Sequence, residues 1–140
     1  MVIITSTTTL SVARQYLAAT TVGNFALFGG GTSDDDHEAT VDGFNASKVR
    51  ITVTALSIQR QQLAATTVGK YALFGGGKTS STRANVDTYT SSLVKGTATD
   101  LSNARGQLAA TTIGNYALFG GGNRSASAQK KVDVYQLVES

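Results

Sequence analysis

The chain contains no cysteine and no tryptophan, and it has a single histidine. Without cysteine there is no disulfide, no thiolate metal site and no thiol nucleophile, and the redox compartment stays open. The lone histidine, His37, sits in the acidic stretch Asp34-Asp35-Asp36-His37-Glu38, with no serine spaced as a nucleophile partner. That stretch appears once and lacks the register of a calcium loop, so it reads as a solvated loop and no metal or cofactor is expected. Charge is thin as well, at 15% charged residues and a net +3. The twelve Lys and Arg form no basic stripe interleaved with aromatics, which argues against a nucleic-acid partner. No apolar run approaches the roughly 18 residues of a membrane helix, and the opening MVIITSTTTLS turns to threonine before any leader pattern develops.

What is present is repetition. LAATT begins at Leu17, Leu63 and Leu108, GGG at Gly29, Gly75 and Gly120, and VD at Val41, Val86 and Val132. An arginine precedes each unit at Arg14, Arg60 and Arg105, inside the recurring pieces LSVAR, LSIQR and LSNAR. All markers keep a period of 45 to 46 residues, and a fixed period identifies a repeat architecture before local propensity does. At 41% hydrophobic residues the 140-residue chain has enough apolar content for one compact unit.

Within each unit the periodicity is two, and Thr, Val, Tyr and Phe dominate segments of five to nine residues, which predicts strands. Strand A is expected near 16–22, followed by a tight turn at Gly23-Asn24, with equivalents at Gly69-Lys70 and Gly114-Asn115. Strand B is FALFGGG or YALFGGG. Strand C is expected near 40–46, 85–91 and 131–138, and strand D near 49–56 and 94–101. Four antiparallel strands per repeat match a propeller blade. On that reading AATT suits the crowded axis, while Phe28, Phe74, Phe119 and the strand B residues Phe25, Tyr71 and Tyr116 fill the widening gap between blades. The triplets Gly29-Gly30-Gly31, Gly75-Gly76-Gly77 and Gly120-Gly121-Gly122 let the chain leave strand B with positive φ or with another backbone packed close.

YALFGGG followed by VDTY (86–89), YALFGGG followed by VDVY (132–135) and FALFGGG followed by VDGF (41–44) together resemble the kelch repeat of β-propellers. The resemblance covers essentially the whole chain and makes the glycine triplets, Tyr89 and Tyr135 the repeat-defining positions. Two departures stand out. Kelch repeats usually start the fourth strand with tryptophan, where this chain offers Val49, Val94 and Ile3, and Phe44 replaces the family's tyrosine. The resemblance implies an all-β, kelch-like propeller with protein or glycan binding as its usual work. Copper-radical oxidases share such a propeller but rely on a cysteine, tyrosines and histidines that this chain mostly lacks.

The boundaries are expected at 12–57 for repeat 1, 58–102 for repeat 2 and 103–140 for repeat 3, the last without its own strand D. Residues 1–11 align with strand D through TLSVAR and so form a displaced strand. Propellers typically have roughly four to eight blades, so three do not close. A twofold homodimer gives six, a number common in the kelch family, with each N-terminal strand exchanged into the partner's last blade; the alternative is that the chain is a fragment of a longer repeat array. Loop charges agree, since loop 34–38 is acidic while the third repeat offers Arg124, Lys130 and Lys131.

The seam residues Arg14, Arg60 and Arg105 and the strand C residues Asp42, Asp87 and Asp133 form the one threefold-repeated charged set. It reads either as a ring at a channel mouth for an anion or acidic peptide, or as pairs that tie blades together. The expected function is a non-catalytic scaffold whose loops 32–40, 78–85 and 123–131 meet a protein or glycan. The alternative is a purely architectural, consensus-built repeat with no natural ligand. An enzyme at the channel mouth is the weakest reading, because strands A and B supply no carboxylates. The GKTS within GGGKTS at 75–80 follows a strand in only one repeat and is not a phosphate loop.

Overall fold

A computed structural model describes residues 1–138, so the last two positions of the expected range 103–140 lie outside it. Strands β1 (Ala18–Val22), β2 (Phe25–Gly29), β3 (Val41–Phe44) and β4 (Arg50–Val53) form one antiparallel sheet in that order. Strands β5 (Ala64–Val68), β6 (Tyr71–Gly75), β7 (Val86–Thr90) and β8 (Lys95–Thr97) form a second of the same order. The third sheet holds β9 (Ala109–Ile113), β10 (Tyr116–Gly120) and β13 (Val132–Gln136), and its B–C loop carries a small hairpin of β11 (Asn123–Arg124) and β12 (Ser127–Ala128).

The tight turns form where glycine starts them. Val22 pairs with Phe25 across Gly23-Asn24, and Gly23 has φ 56°, the positive value that the first residue of a type II′ turn requires. The C–D turns use a side chain in place of backbone. Asn45 Oδ1 accepts from the Ser47 and Val49 amides, and Thr90 Oγ1 does the same for Ser92 and Val94.

Sheets pack side by side through their first strands, β1 against β5 and β5 against β9. The Thr20 and Thr67 hydroxyls meet at 2.7 Å, and Thr66 and Thr112 repeat that contact one boundary on. Further out, Phe74 lies on Gly29, where a Cβ would stand 2.9 Å from its ring. Phe119 lies on Gly75 in the same way, at 3.0 Å. Both phenylalanines are fully buried, each contributing about 1.5–3 kcal/mol. Each also meets a strand C tyrosine edge-on, Phe74 with Tyr89 at 5.8 Å and Phe119 with Tyr135 at 5.7 Å, while Phe28 meets Phe44 likewise. The first glycine of the triplet therefore makes room for a neighbour. The next two carry the turn, Gly30 at φ 72° and Gly31 at φ 106°.

Two expectations need correction. The strand B tyrosines do not fill the gap between sheets: Tyr71 and Tyr116 are 43% and 44% exposed, because they open strand B at its wide, solvated end. The buried tyrosine of the repeat is on strand C, where the Tyr89 hydroxyl donates to the Thr54 carbonyl at 2.7 Å. Strand D is also shorter than expected, and Val49 and Val94 are exposed in the turn before it. Residues 1–10 pair with no strand of their own chain, and Ile3 is exposed with them, so the single chain does not test their expected place in a partner's blade.

Candidate functional site

The seam between one sheet and the next is built around the repeated arginine. Arg14 donates from Nη1 to Asp42 Oδ2 at 3.0 Å, from Nη2 to the Phe28 carbonyl and from Nε to the Gly30 carbonyl. Arg105 does the same with Asp133 at 2.9 Å, Phe119 and Gly121. Arg60 pairs with Asp87 at 3.2 Å and with the Phe74 carbonyl, its Nε having no partner. A serine completes each set, as the Ser11, Ser57 and Ser102 amides all donate to the aspartate. Thus the arginine holds the D–A seam against the end of strand B and the start of strand C of its own sheet.

All three arginine side chains have no exposed area, as does Asp87, whose other oxygen faces Lys95 Nζ at 3.2 Å. The guanidinium groups therefore present no cation to solvent, and their planar donors are used on carbonyls and a carboxylate. Burial alone would raise the Asp87 carboxyl, yet the Ser57 hydrogen bonds and the Arg60 charge outweigh it and hold the pKa below the ordinary carboxylate value. Asp42 and Asp133 are lowered by the same balance, with Ser11 and Arg14, or Ser102 and Arg105, opposing burial. Burial lowers Arg60 itself, against the opposing charge of Asp87. It also raises the Tyr89 phenol, and it pushes Tyr135 up to about 12.

The end of the sheets beyond the seam carries the loops. Gln15, Gln61 and Gly106 bridge to Thr32, Lys78 and Asn123, so each B–C loop starts as a short extension above its sheet. The acidic loop rises from the first, where the His37 ring approaches the Gln61 side chain of the next seam at 3.3 Å. Among the described residues no group of three or more metal-ligating side chains is placed to hold a cation.

One repeated feature escaped sequence reasoning. Tyr16, Gln62 and Gln107 are left-handed, at φ 60°, 59° and 56°, and they pass backbone bonds from sheet to sheet. The Gln62 amide donates to the Tyr16 carbonyl and the Gln107 amide to the Gln62 carbonyl, each at 2.8 Å. Its only trace in the sequence is the constant two-residue gap between the arginine and LAATT.

Repeated four-stranded antiparallel sheets packed through their first strands define a β-propeller-like repeat fold. No family model matches the chain, and no curated protein matches it. Among solved structures, the structure of YjhT is similar with a TM-score of 0.80 at 12% identity, over 92% of this chain and 44% of that one. The chain thus spans less than half the length of that structure, and the likeness is one of fold.

Proposed function

We propose that the chain is half of a kelch-like propeller, a non-catalytic scaffold that two copies close into a ring of six blades. Loops 32–40, 78–85 and 123–131 stand on one face of it for a protein or glycan ligand. One observation carries the closure. The two internal boundaries are made by Phe74 on Gly29 and Phe119 on Gly75, and the third member of each series lies on an open flank. Phe28 borders an apolar groove of about 570 Å³ with Leu10, Leu17, Ala18 and Phe44. On the opposite flank Gly120 lines a groove with Ala110, Leu118 and Val132, and only Val132 stands near its missing Cβ. Phenylalanine and glycine are the two halves of the boundary that the chain already makes twice.

The non-catalytic reading is supported by the seam carboxylates, each committed to an arginine and a serine. Light scattering on the wild type and on Phe28→Ala tests the closure. The expected result is a dimer for the first and a monomer of unchanged circular dichroism for the second; a wild-type monomer would overturn it. A glycan and peptide array then tests the loops. The near-identity of the repeats favours one other reading, architecture alone, and an array on which the dimer stays silent would select it.

A further inference from the structure

We infer that residues 4–7 of each copy form the outer strand of the other copy's third blade in one fixed register, a claim that rests on the ring reading above. Residues 10–14 are seated on the first sheet as residues 56–60 are on the second. Ser11 and Arg14 hold Asp42 as Ser57 and Arg60 hold Asp87, and Leu10 and Leu56 both stand four residues before their arginine. In the two complete sheets the strand leading into a seam pairs in the same way. The strand C aspartate faces the residue four before the seam leucine, Asp42 opposite Thr52 before Leu56 and Asp87 opposite Thr97 before Leu101.

Counting back from Leu10 by the same rule places Ser6 opposite Asp133, Thr5 opposite Val134 and Ile4 opposite Tyr135. A small hydroxyl residue then faces the aspartate in all three blades. Both segments stand open in the single chain. Ile3, Ile4, Val132 and Val134 are exposed, and among the described residues the outer edge of β13 has no ladder, whereas β3 and β7 are paired on both sides. An open apolar edge of this kind is a template for a strand from another chain. Within one copy the second sheet stands between the first and the third, so a donor from the adjoining flank is the one the geometry admits.

The seam bonds name the contacts that hold the donor strand in register. Leu56 donates to the Ala39 carbonyl and Arg60 to Glu38, and Leu101 and Arg105 repeat this with Ala84 and Arg83. At the copy boundary the same positions are the Leu10 and Arg14 amides and the Lys130 and Gln129 carbonyls.

The chain has no cysteine, so a pair can be placed at will. Directly opposed residues lie about 4.5–5.5 Å apart between Cα atoms, within disulfide range. The full chain carrying Thr5→Cys with Val134→Cys is expected to run as a covalent dimer without reductant, and either single variant as one chain. A dimer by light scattering that links only through Ile3→Cys or Thr7→Cys with Val134→Cys would overturn the register and leave the ring standing. A disulfide closed within one chain would overturn the exchange, and a monomer in solution would remove the ring and the exchange together. Amide exchange on the wild type gives a second readout: residues 4–7 and 132–136 are expected to be protected, and fast exchange throughout 4–7 would also overturn the exchange.

Discussion

The second and third sheets carry almost the same sequence and bury it differently. Val68 ends β5 at 4% exposure, and Ile113, its equivalent at the end of β9, is 70% exposed. Val86 starts β7 at 1%, and Val132 starts β13 at 52%. The side chains are alike and the local strands are alike, so the difference lies in the neighbours. The second sheet is covered on both faces and completed by its own fourth strand; the third, among the described residues, has one covered face and three strands. Burial here belongs to the array, and a sheet with a neighbour on one side only leaves apolar surface open.

The sharpest way to break that comparison is at the seam arginine. Arg60→Ala leaves Asp87 wholly buried and without its guanidinium, and a loss of about 3–5 kcal/mol is expected in urea unfolding. Arg105→Ala is expected to cost less in a single copy, because Asp133 is partly exposed, and to cost about as much once a second copy covers it. Next come the glycines. Gly75→Ala drives a methyl to 3.0 Å from the Phe119 ring, with an expected loss of about 1–3 kcal/mol. Gly120→Ala is expected to leave the unfolding of a single copy nearly unchanged and to weaken association, read as a shift of the dimer to higher concentration by sedimentation. Equal effects of the two on the single copy would contradict the comparison.

A smaller effect is expected from Tyr89→Phe, which removes the bond to Thr54 and costs about 0.5–1.5 kcal/mol in thermal unfolding. The first sheet already carries Phe44 at that place, so the core shape tolerates the change. Smallest near neutrality is the response to pH. The pKa values of Asp42, Asp87 and Asp133 are lowered by folding, so their contribution is fully present above the ordinary carboxylate pKa of about 3.9 and is lost as pH falls through the lower folded values. Unfolding midpoints are expected to stay level from about pH 7 to 5 and to drop below about pH 4; an Asp87→Asn variant should flatten part of that drop.

Much of the architecture was legible because the repeat states it three times. The period, the strand alternation and the glycine exit follow from residues such as Leu27, Phe74 and Gly30, whose surroundings are set within one or two repeats. Reading Tyr71 as a gap filler failed for a physical reason: alternation gives the face of a strand but not how far along it the neighbouring sheet reaches. The left-handed Tyr16, Gln62 and Gln107 were hidden because none is a residue type that favours that conformation; the bonds they pass between sheets hold them there. The hairpin β11–β12 was hidden as well, being two residues a side in a polar loop. The pairing of Arg14, Arg60 and Arg105 with the aspartates was one of two readings, and burial, which spacing cannot give, shows where those side chains point.

Native mass spectrometry across a dilution series tests the half-ring most directly. One species at twice the 14.5 kDa chain mass is expected to persist to low concentration, and a folded single chain at every concentration would contradict the half-ring.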